Sequence, residues 1–461
     1  MFFALSIASI LFLFGIGYGL TTFLLPEGED ASQAEKFPFV LTTGLLTNHL
    51  LILLTPSLTA SLCAGAILSG FSAILFATRL KGRLRPVRTG SLFPPAAAAF
   101  VLLLYYCTLL IDPLEDWDAR SIWFFHARMI WSAGTVGMSA GWDHPAIRFS
   151  HVDYPILIPA LAAQGSHLLG YWNEYAPKLS LFLTLIPPVC WVFTFFSRSF
   201  SFLFLLLVFP FGLKDFLLSG SMDGCVAFYT AVSMLLFGRY FKEGRPLDGM
   251  AGISCLAMAG NVKNEGLLIG LIGIFVVAAT GILSSRFRLA DFKGFFRPGR
   301  IAWLAAILSP GVIWSVCYKS KWGLASDLQL GTAAALDRMI RRVWDGVSLP
   351  HILKATFFNQ ETTLWLAVAA FAVFLAALAV SRRRTVGWVP SLVTAFAYYG
   401  CIVLVFLLIP NDPTVRAFSS MYRTMLTATG CMIVATYFVL KELEEAPAER
   451  RPVEPPSLTS A

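Results

Sequence analysis

Asp116 and Asp118 stand two residues apart in the stretch EDWDARSIW, and Arg120, Phe124 and Arg128 follow at intervals of four. A carboxylate held at the rim of a membrane can take a proton from an acceptor hydroxyl, or bind a divalent cation that neutralises a phosphate. Asp118 is the expected base and Asp116 its alternate. The competing reading is helix capping, because aspartate in a first turn satisfies free backbone N–H groups and opposes the dipole. Arg120, Phe124 and Arg128 share one helical face, so two guanidinium groups flank a ring. They suit either a substrate phosphate or anchoring among lipid headgroups.

Further ionisable groups recur at what read as turns between apolar runs. His151, Asp153 and Tyr154 close the segment that begins at Asp112, a segment holding six Asp/Glu, three Arg and three His. Its histidines, His126, His144 and His151, read more readily as hydrogen-bonded structural residues than as catalysts. Lys263 and Glu265 interrupt an apolar run in AGNVKNEGLL, Asp223 sits in SGSMDG, and Asp412, Arg416 and Arg423 lie in PNDPTVRAFSSMYR. Lys263 and Glu265 could be a solvated turn pair; they could equally face a cavity and hold a pyrophosphate or sugar hydroxyls. Charge is costly beside a bilayer, so its return at turn after turn predicts an active cavity open on one face.

The elements that must position these groups are membrane helices. The chain is 57% hydrophobic and 13% charged, with a mean hydropathy of +0.71. Its apolar runs approach the roughly twenty residues that span a bilayer, and none alternates as barrel strands do. The expected fold is an all-α polytopic membrane protein of about thirteen spans, with an amphipathic helical loop on the outer face. Residues 1–440 form one transmembrane domain in this reading, containing a catalytic outer loop at 112–153 and a second outer loop at 318–361. Residues 441–461, charged and then proline-rich, are expected to be a disordered cytoplasmic tail.

Basic clusters set the orientation: Arg79 to Arg88, Arg239 to Arg245, Arg286 to Arg300 and Arg382 to Arg384 mark the cytoplasmic side. Spans near 94–111, 220–238, 249–262, 265–283, 301–317, 362–381, 387–409 and 420–440 then alternate consistently. The segments 112–153, 262–266, 318–361 and 410–418 fall outside, and the acidic loop 26–37 inside. Of the three apolar stretches 154–170, 176–196 and 199–213, the first carries Gln164, Ser166 and His167 and is expected to lie at the outer interface. The face of the loop helix with Ile122, Trp123, Met129 and Ile130 is expected to sink into that interface. The uncharged N-terminus, lacking a basic region and a cleavage site, reads as a retained first span. The eight cysteines lie almost singly in apolar runs and read as small core residues. The net charge of +8 resides in short loops rather than a compact basic domain, which argues against nucleic acid as a partner.

Taken in order, these features resemble the GT-C class of integral-membrane glycosyltransferases, which includes the protein O-mannosyltransferases and the aminoarabinose–lipid A transferases. The carriers are EDWDARSIWFFHARMI in the first outer loop, the DYP segment after it, SMDG, the KNEG turn and the late arginine-bearing loop, spanning Asp112 to Arg423. W-D-A-x-x-I-W, D-Y-P-x-L-x-P and K-N-E-G together look like a group of bacterial membrane proteins placed in this class. The DWD spelling itself carries no weight, because the DxD metal motif works at a strand end in an α/β domain. The resemblance implies a polyprenyl-phosphate-linked sugar donor and inverting transfer at the periplasmic side of the cytoplasmic membrane. It implies Asp118 or Asp116 as base and Asp223 as a second acidic position. Arg416 or Arg423, with Lys263, would stabilise the departing phosphate. The acceptor, whether glycan, lipid or protein, stays open, as does a divalent cation. Three apolar segments precede the loop's leading span where the class usually has one, and no soluble outer domain follows the last span. Two rival readings remain: a transporter or flippase of a lipid-linked or small polar substrate, and a polysaccharide polymerase or ligase using Lys319, Lys321, Arg338, Arg341, Arg342 and His351.

Overall fold

A computed structural model describes residues 1–22, 24, 32–80, 92–206, 217–284, 298–324, 326, 328–330, 332–358, 361–380 and 386–445. All regular structure among them is helical. Lipid offers no hydrogen bonds, so an apolar segment must satisfy its own backbone, and the helix is the only single-segment solution. The helices are α1 (Phe2–Thr21), α2 (Gln33–Leu54), α3 (Leu58–Leu80), α4 (Phe93–Ile111), α5 (Phe124–Ala133), α6 (Leu157–Leu169), α7 (Lys178–Phe193) and α8 (Phe200–Leu206). They continue as α9 (Met222–Glu243), α10 (Pro246–Val262), α11 (Asn264–Leu283), α12 (Pro298–Val312), α13 (Ala333–Trp344) and α14 (Ser348–Phe358). The last four are α15 (Glu361–Val380), α16 (Val389–Leu408), α17 (Pro413–Thr424) and α18 (Leu426–Glu445).

Among the described residues nine helices are long and apolar enough to cross a membrane: α1 to α4, α9, α11, α12 prolonged to Trp322, α16 and α18. The chain is therefore a polytopic helical membrane protein. Helices α6 and α7, and α15 from Trp365 onward, are apolar but shorter. Of the expected stretch 199–213, residues 200–206 form α8 and 207–213 lie outside the described residues. The basic clusters at 81–88, 286–297 and 382–384 and residues 26–31 of the acidic loop lie outside them too.

Burial sorts the helices into layers. The spanning window of α9 is 94% buried, whereas that of α4 is 17% buried, so α9 is central and α4 lines the rim. Helix α9 packs on α10, α18 and α16, while α4 lies along α7. Lipid is as apolar as leucine, so these helices associate by close packing and polar contacts rather than by hydrophobic transfer. Cys225, Cys255 and Cys431 are buried among them, but Cys63, Cys107 and Cys317 are exposed on the bundle's surface, contrary to their reading as core residues.

The helix expected at the outer interface, 154–170, is α6, and it runs inside the protein: Leu157 to Ala163 are all buried. Gln164 accepts from Asn48 Nδ2 at 2.8 Å and donates to Ser61 Oγ at 3.2 Å. Of the polar residues that suggested an interface, Gln164 thus serves helix-to-helix hydrogen bonds and His167 Nε2 meets Thr59 Oγ1 at 2.9 Å, whereas Ser166 Oγ is buried without a partner among the described residues. Similarly Ile122, Trp123 and Ile130 are buried within the protein rather than in lipid.

One end of the bundle carries an ion-pair network. Arg239 holds Asp248 through two bonds of 2.8 and 2.6 Å, and Arg245 donates to Glu35 at 2.7 Å. Glu35, in the acidic loop, thus sits at the same end as the Arg239 to Arg245 cluster, as expected. At the opposite end the second loop is mostly helix. Arg338 donates to Leu408 O at 2.9 Å, and Arg342 to Ile409 O at 2.6 Å and Asn411 O at 2.9 Å. Both guanidinium groups satisfy carbonyls left over at the C-terminus of α16. Of the segment 441–461, expected to be a disordered tail, 441–445 instead complete α18 and Ser201 Oγ donates to Glu444 at 2.6 Å; 446–461 lie outside the described residues.

Candidate active site

After α4 the chain turns at Asp112 and starts the loop helix. Asp116 Oδ1 accepts the backbone N–H of Asp118 at 2.9 Å, a local turn of the kind aspartate favours. Asp116 therefore serves as a cap. A wide π-helical turn, Ala119–Trp123, leads into α5; such turns re-aim side chains and collect at functional sites. Asp118, at its start, meets Arg423 Nη1 at 2.8 Å through Oδ2. Arg423 occupies the last turn of α17, and Arg416 lies on the same face two turns earlier.

Asp223 lies buried in the first turn of α9. It accepts from Lys263 Nζ at 2.7 Å and from Ser221 Oγ at 3.0 Å. The backbone at Lys263 is extended, φ −153°, where α10 stops and α11 begins. That one-residue break turns the lysine into the bundle, where its ammonium also lies 3.6 Å from Glu265 Oε1. Burial opposes the charge on Lys263, but Asp223 and Glu265 outweigh it and hold the ammonium above the usual lysine range. Burial likewise opposes the Arg423 charge and is outweighed by Asp223 and Asp118, which push its pKa up. Both cations are thus fixed charges at any physiological pH.

Gly220 brings these two halves together. Its φ is +86°, and a Cβ there would lie 2.6 Å from the Ala119 Cβ. Only glycine allows the entry to α9 to press on the π-helical turn, which sets Asp223 beside the Asp118–Arg423 pair.

Tyr154 stacks between Trp123 (5.5 Å, 26°) and His151 (4.9 Å, 14°). Lys263 Nζ lies 5.9 Å from the Tyr154 ring centroid, a cation–π contact. Asp153 accepts from Asn264 Nδ2 at 2.8 Å, and Asn264 Oδ1 accepts from Lys319 Nζ at 2.9 Å. The expected residues Asp118, Asp153, Tyr154, Asp223, Lys263, Glu265 and Arg423, with His151 behind Tyr154, therefore form one connected site at one end of the bundle. Asn264, Lys319, Ser221 and Trp123 belong to it as well. Asn264 sits inside the KNEG turn and Ser221 beside Asp223, so adjacency could have signalled both. Lys319 arrives from the prolonged end of α12 by a fold-level contact that no local pattern carries.

Three buried atoms in the site have no hydrogen-bond partner among the described residues: Trp123 Nε1, Glu265 Oε2 and Arg423 Nε. An unpaired acceptor and an unpaired charged donor are costly when buried, and a substrate hydroxyl on Glu265 and a substrate anion on Arg423 would satisfy them.

Arg120 and Arg128 are not in this site. Arg120 Nε donates to Leu114 O at 2.5 Å, and both arginines line a separate cleft with Phe124, Glu174 and Lys178. His126 is fully buried, bonded through Nε2 to Ser150 Oγ at 2.8 Å and edge-on to Trp142. Burial, aided by His151, pushes its pKa down to about 3, so it is neutral and structural. Among the described residues no three His, Cys, Asp or Glu side chains group as a metal site would require. Comparison with protein-family models, with curated proteins and with solved structures finds no match to the chain.

Proposed function

We propose that the protein is a membrane glycosyltransferase that moves a sugar from a polyprenyl-phosphate-linked donor to an acceptor hydroxyl, with inversion, at the outer face of the cytoplasmic membrane. Asp118 takes the acceptor's proton as its oxygen bonds to the anomeric carbon. The bond from that carbon to the phosphate oxygen breaks, and the electron pair leaves on polyprenyl phosphate. Arg423 is placed to serve both events. Its Nη1 holds Asp118 while its Nε is unpartnered, so a phosphate oxygen on Nε would lie next to the base. Fixed cations facing a developing phosphate charge lower the barrier without reorganising. Lys263 adds a second such charge, Glu265 Oε2 offers an acceptor for a sugar or acceptor hydroxyl, and Arg416, two turns earlier on the same face of α17, extends the basic surface.

The observation that carries this reading is the meeting of Asp118 and Arg423 beside Asp223 and Lys263. Unlike the ion pairs at the other end of the bundle, this cluster sits beside a buried Arg423 Nε and Glu265 Oε2 that have no partner among the described residues, atoms that a substrate anion and a substrate hydroxyl would satisfy.

The transport reading rests on polar groups inside the helices, above all His49, fully buried in α2. Asn48 and Gln164 there bond to each other, and the formal charges lie at the bundle's two ends instead of along a path. The polymerase reading weakens because Arg338 and Arg342 are engaged as helix caps. The deciding measurement is mass spectrometry of polyprenyl-phosphate lipids from cells carrying the gene, lacking it, or carrying Asp118→Asn. Accumulation of one glycosylated lipid in both defective strains is expected, and its mass gives the class of sugar. An unchanged lipid pool in every strain overturns the transferase reading in favour of transport.

A further inference from the structure

The Arg120–Arg128 cleft lies apart from the transfer site, at the end of the rim helix α4. Its volume is about 540 Å³, and Ile111 and Leu114 at the end of α4 form one wall. Lys178, the first residue of α7, forms another, its Nζ bonded to Asp112 O at 2.7 Å. Three cations thus converge there, with Glu174 the one carboxylate among the described residues of the lining. Even with the charge of Asp112, which also bears on Lys178, the cations remain in excess. Trp172, Tyr175 and Phe124 complete the walls.

Directly along the same two helices runs a second cavity of about 470 Å³, a groove between α4 and α7 closed by α1. On α4 it is lined from Pro94 to Tyr106 and on α7 from Phe182 to Thr194. Twelve residues of helix make it roughly 18 Å long, more than half of a hydrocarbon core of about 30 Å. Its walls are apolar except for Ser6 and, near its ends, Tyr106 and Thr194, and no described residue lining it is charged. Helix α4 is the rim helix identified above, so the groove is open to the bilayer. From Tyr106 to Ile111 and from Phe182 to Lys178 is one to one and a half helical turns, about 6 to 8 Å. An apolar slot more than half the depth of the hydrocarbon core therefore ends beside a cationic chamber.

We infer that the chamber and the groove together bind a membrane lipid with an anionic phosphate headgroup. Arg120, Arg128 and Lys178 hold the phosphate and one hydrocarbon chain lies between α4 and α7. The charge selects the occupant: an excess of cations over carboxylates favours a net anionic head over a zwitterionic one. The groove demands a chain, which a free phosphate lacks. Lys178 is 3% exposed, so its ammonium is committed to the chamber rather than to bulk water. The same chemistry has two sources, a bilayer phospholipid such as phosphatidylglycerol or a polyprenyl phosphate. The inference goes beyond the transfer reading and does not depend on it, because it concerns binding in a different cleft.

The test is native mass spectrometry of the purified full-length protein in detergent, offered phosphatidylglycerol, a polyprenyl monophosphate or phosphatidylcholine at equal concentration. Retention of at least one anionic lipid about tenfold above phosphatidylcholine is expected. Retention of phosphatidylglycerol alone assigns the site to a bilayer lipid, and of the polyprenyl phosphate alone to a lipid-linked one. Arg120→Gln with Arg128→Gln, both at exposed positions, is expected to abolish the preference with the melting temperature unchanged. Ala99→Trp, which fills the groove and spares the cations, is expected to reduce retention of either lipid. Equal retention of all three lipids by the wild type, or an anionic preference untouched by the double arginine variant, overturns the inference. Since no transfer is read, neither result bears on Asp118.

Discussion

Asp118 and Arg423 lie 305 residues apart in the chain and meet at 2.8 Å, joining the first long polar loop to the helix that precedes the last span. The contact ties the two ends of the candidate site into one unit. If Asp118 is the base, Asp118→Asn lowers transfer by about a hundredfold or more, the scale of general-base catalysis. If Arg423 faces the departing phosphate as proposed, Arg423→Gln costs a similar factor by removing a fixed charge there. The informative comparison is the double variant, assayed for sugar transfer with normal membrane levels verified. Residues acting as one unit lose little more together than singly, so a double variant whose losses multiply would separate Asp118 and Arg423 into independent roles.

Lys263 and Asp223 form a buried pair, and removing one member leaves the other's charge without a partner. Lys263→Met is expected to cost about 3–5 kcal/mol, while Lys263→Met with Asp223→Leu recovers much of it. Thermal melting in detergent reads the difference. Transfer is expected to stay low in both variants, because the fixed cation is gone from each. A double variant no more stable than Lys263→Met would show that the pair is not the unit that matters.

Much of this site is legible in the sequence because charge is rare in such a chain. Each of Asp118, Asp223, Lys263, Glu265 and Arg423 stands at a break between apolar runs, and the alternation of spans puts those breaks at one end. What the residues alone do not disclose is which charges meet. Arg120 and Arg128 share the loop helix with Asp118 but face a different cleft: Asp118 and Arg120 stand two residues apart, on opposite sides of a helix, while Arg120, Phe124 and Arg128 line the separate cleft together. Buried α6 is hard to recognise for a related reason. Gln164 looks the same in sequence whether it faces water or, as here, Asn48 and Ser61 of neighbouring helices.

Gly220 makes a prediction that concerns only geometry. A side chain at φ +86° is strained, and its Cβ would press into Ala119. Gly220→Ala is expected to cost roughly 1–3 kcal/mol and to push the entry of α9 away from the π-helical turn. Asp223 then moves relative to Asp118, so transfer falls further than the loss of folded protein accounts for. A variant equal to the wild type in activity per folded molecule would remove Gly220 from the positioning of the site.

His126 supplies the pH dependence. Its folded pKa is pushed down to about 3 by burial and by His151, against an ordinary histidine value of 6.5. Between those two values the unfolded chain binds a proton that the folded protein refuses. Stability from this residue is therefore complete above pH 6.5 and declines as pH falls toward 3, by about 1.4 kcal/mol per unit. His126→Gln keeps a group that can bond to Ser150 and cannot titrate, so its melting temperature is expected to fall less than the wild type's between about pH 7 and 4.5. The variant is less stable near neutral pH, where the imidazole's packing on Trp142 is lost, and the two curves converge as the pH drops. Parallel curves would mean that His126 takes up its proton equally in the folded and unfolded states, as a ring that reaches water does.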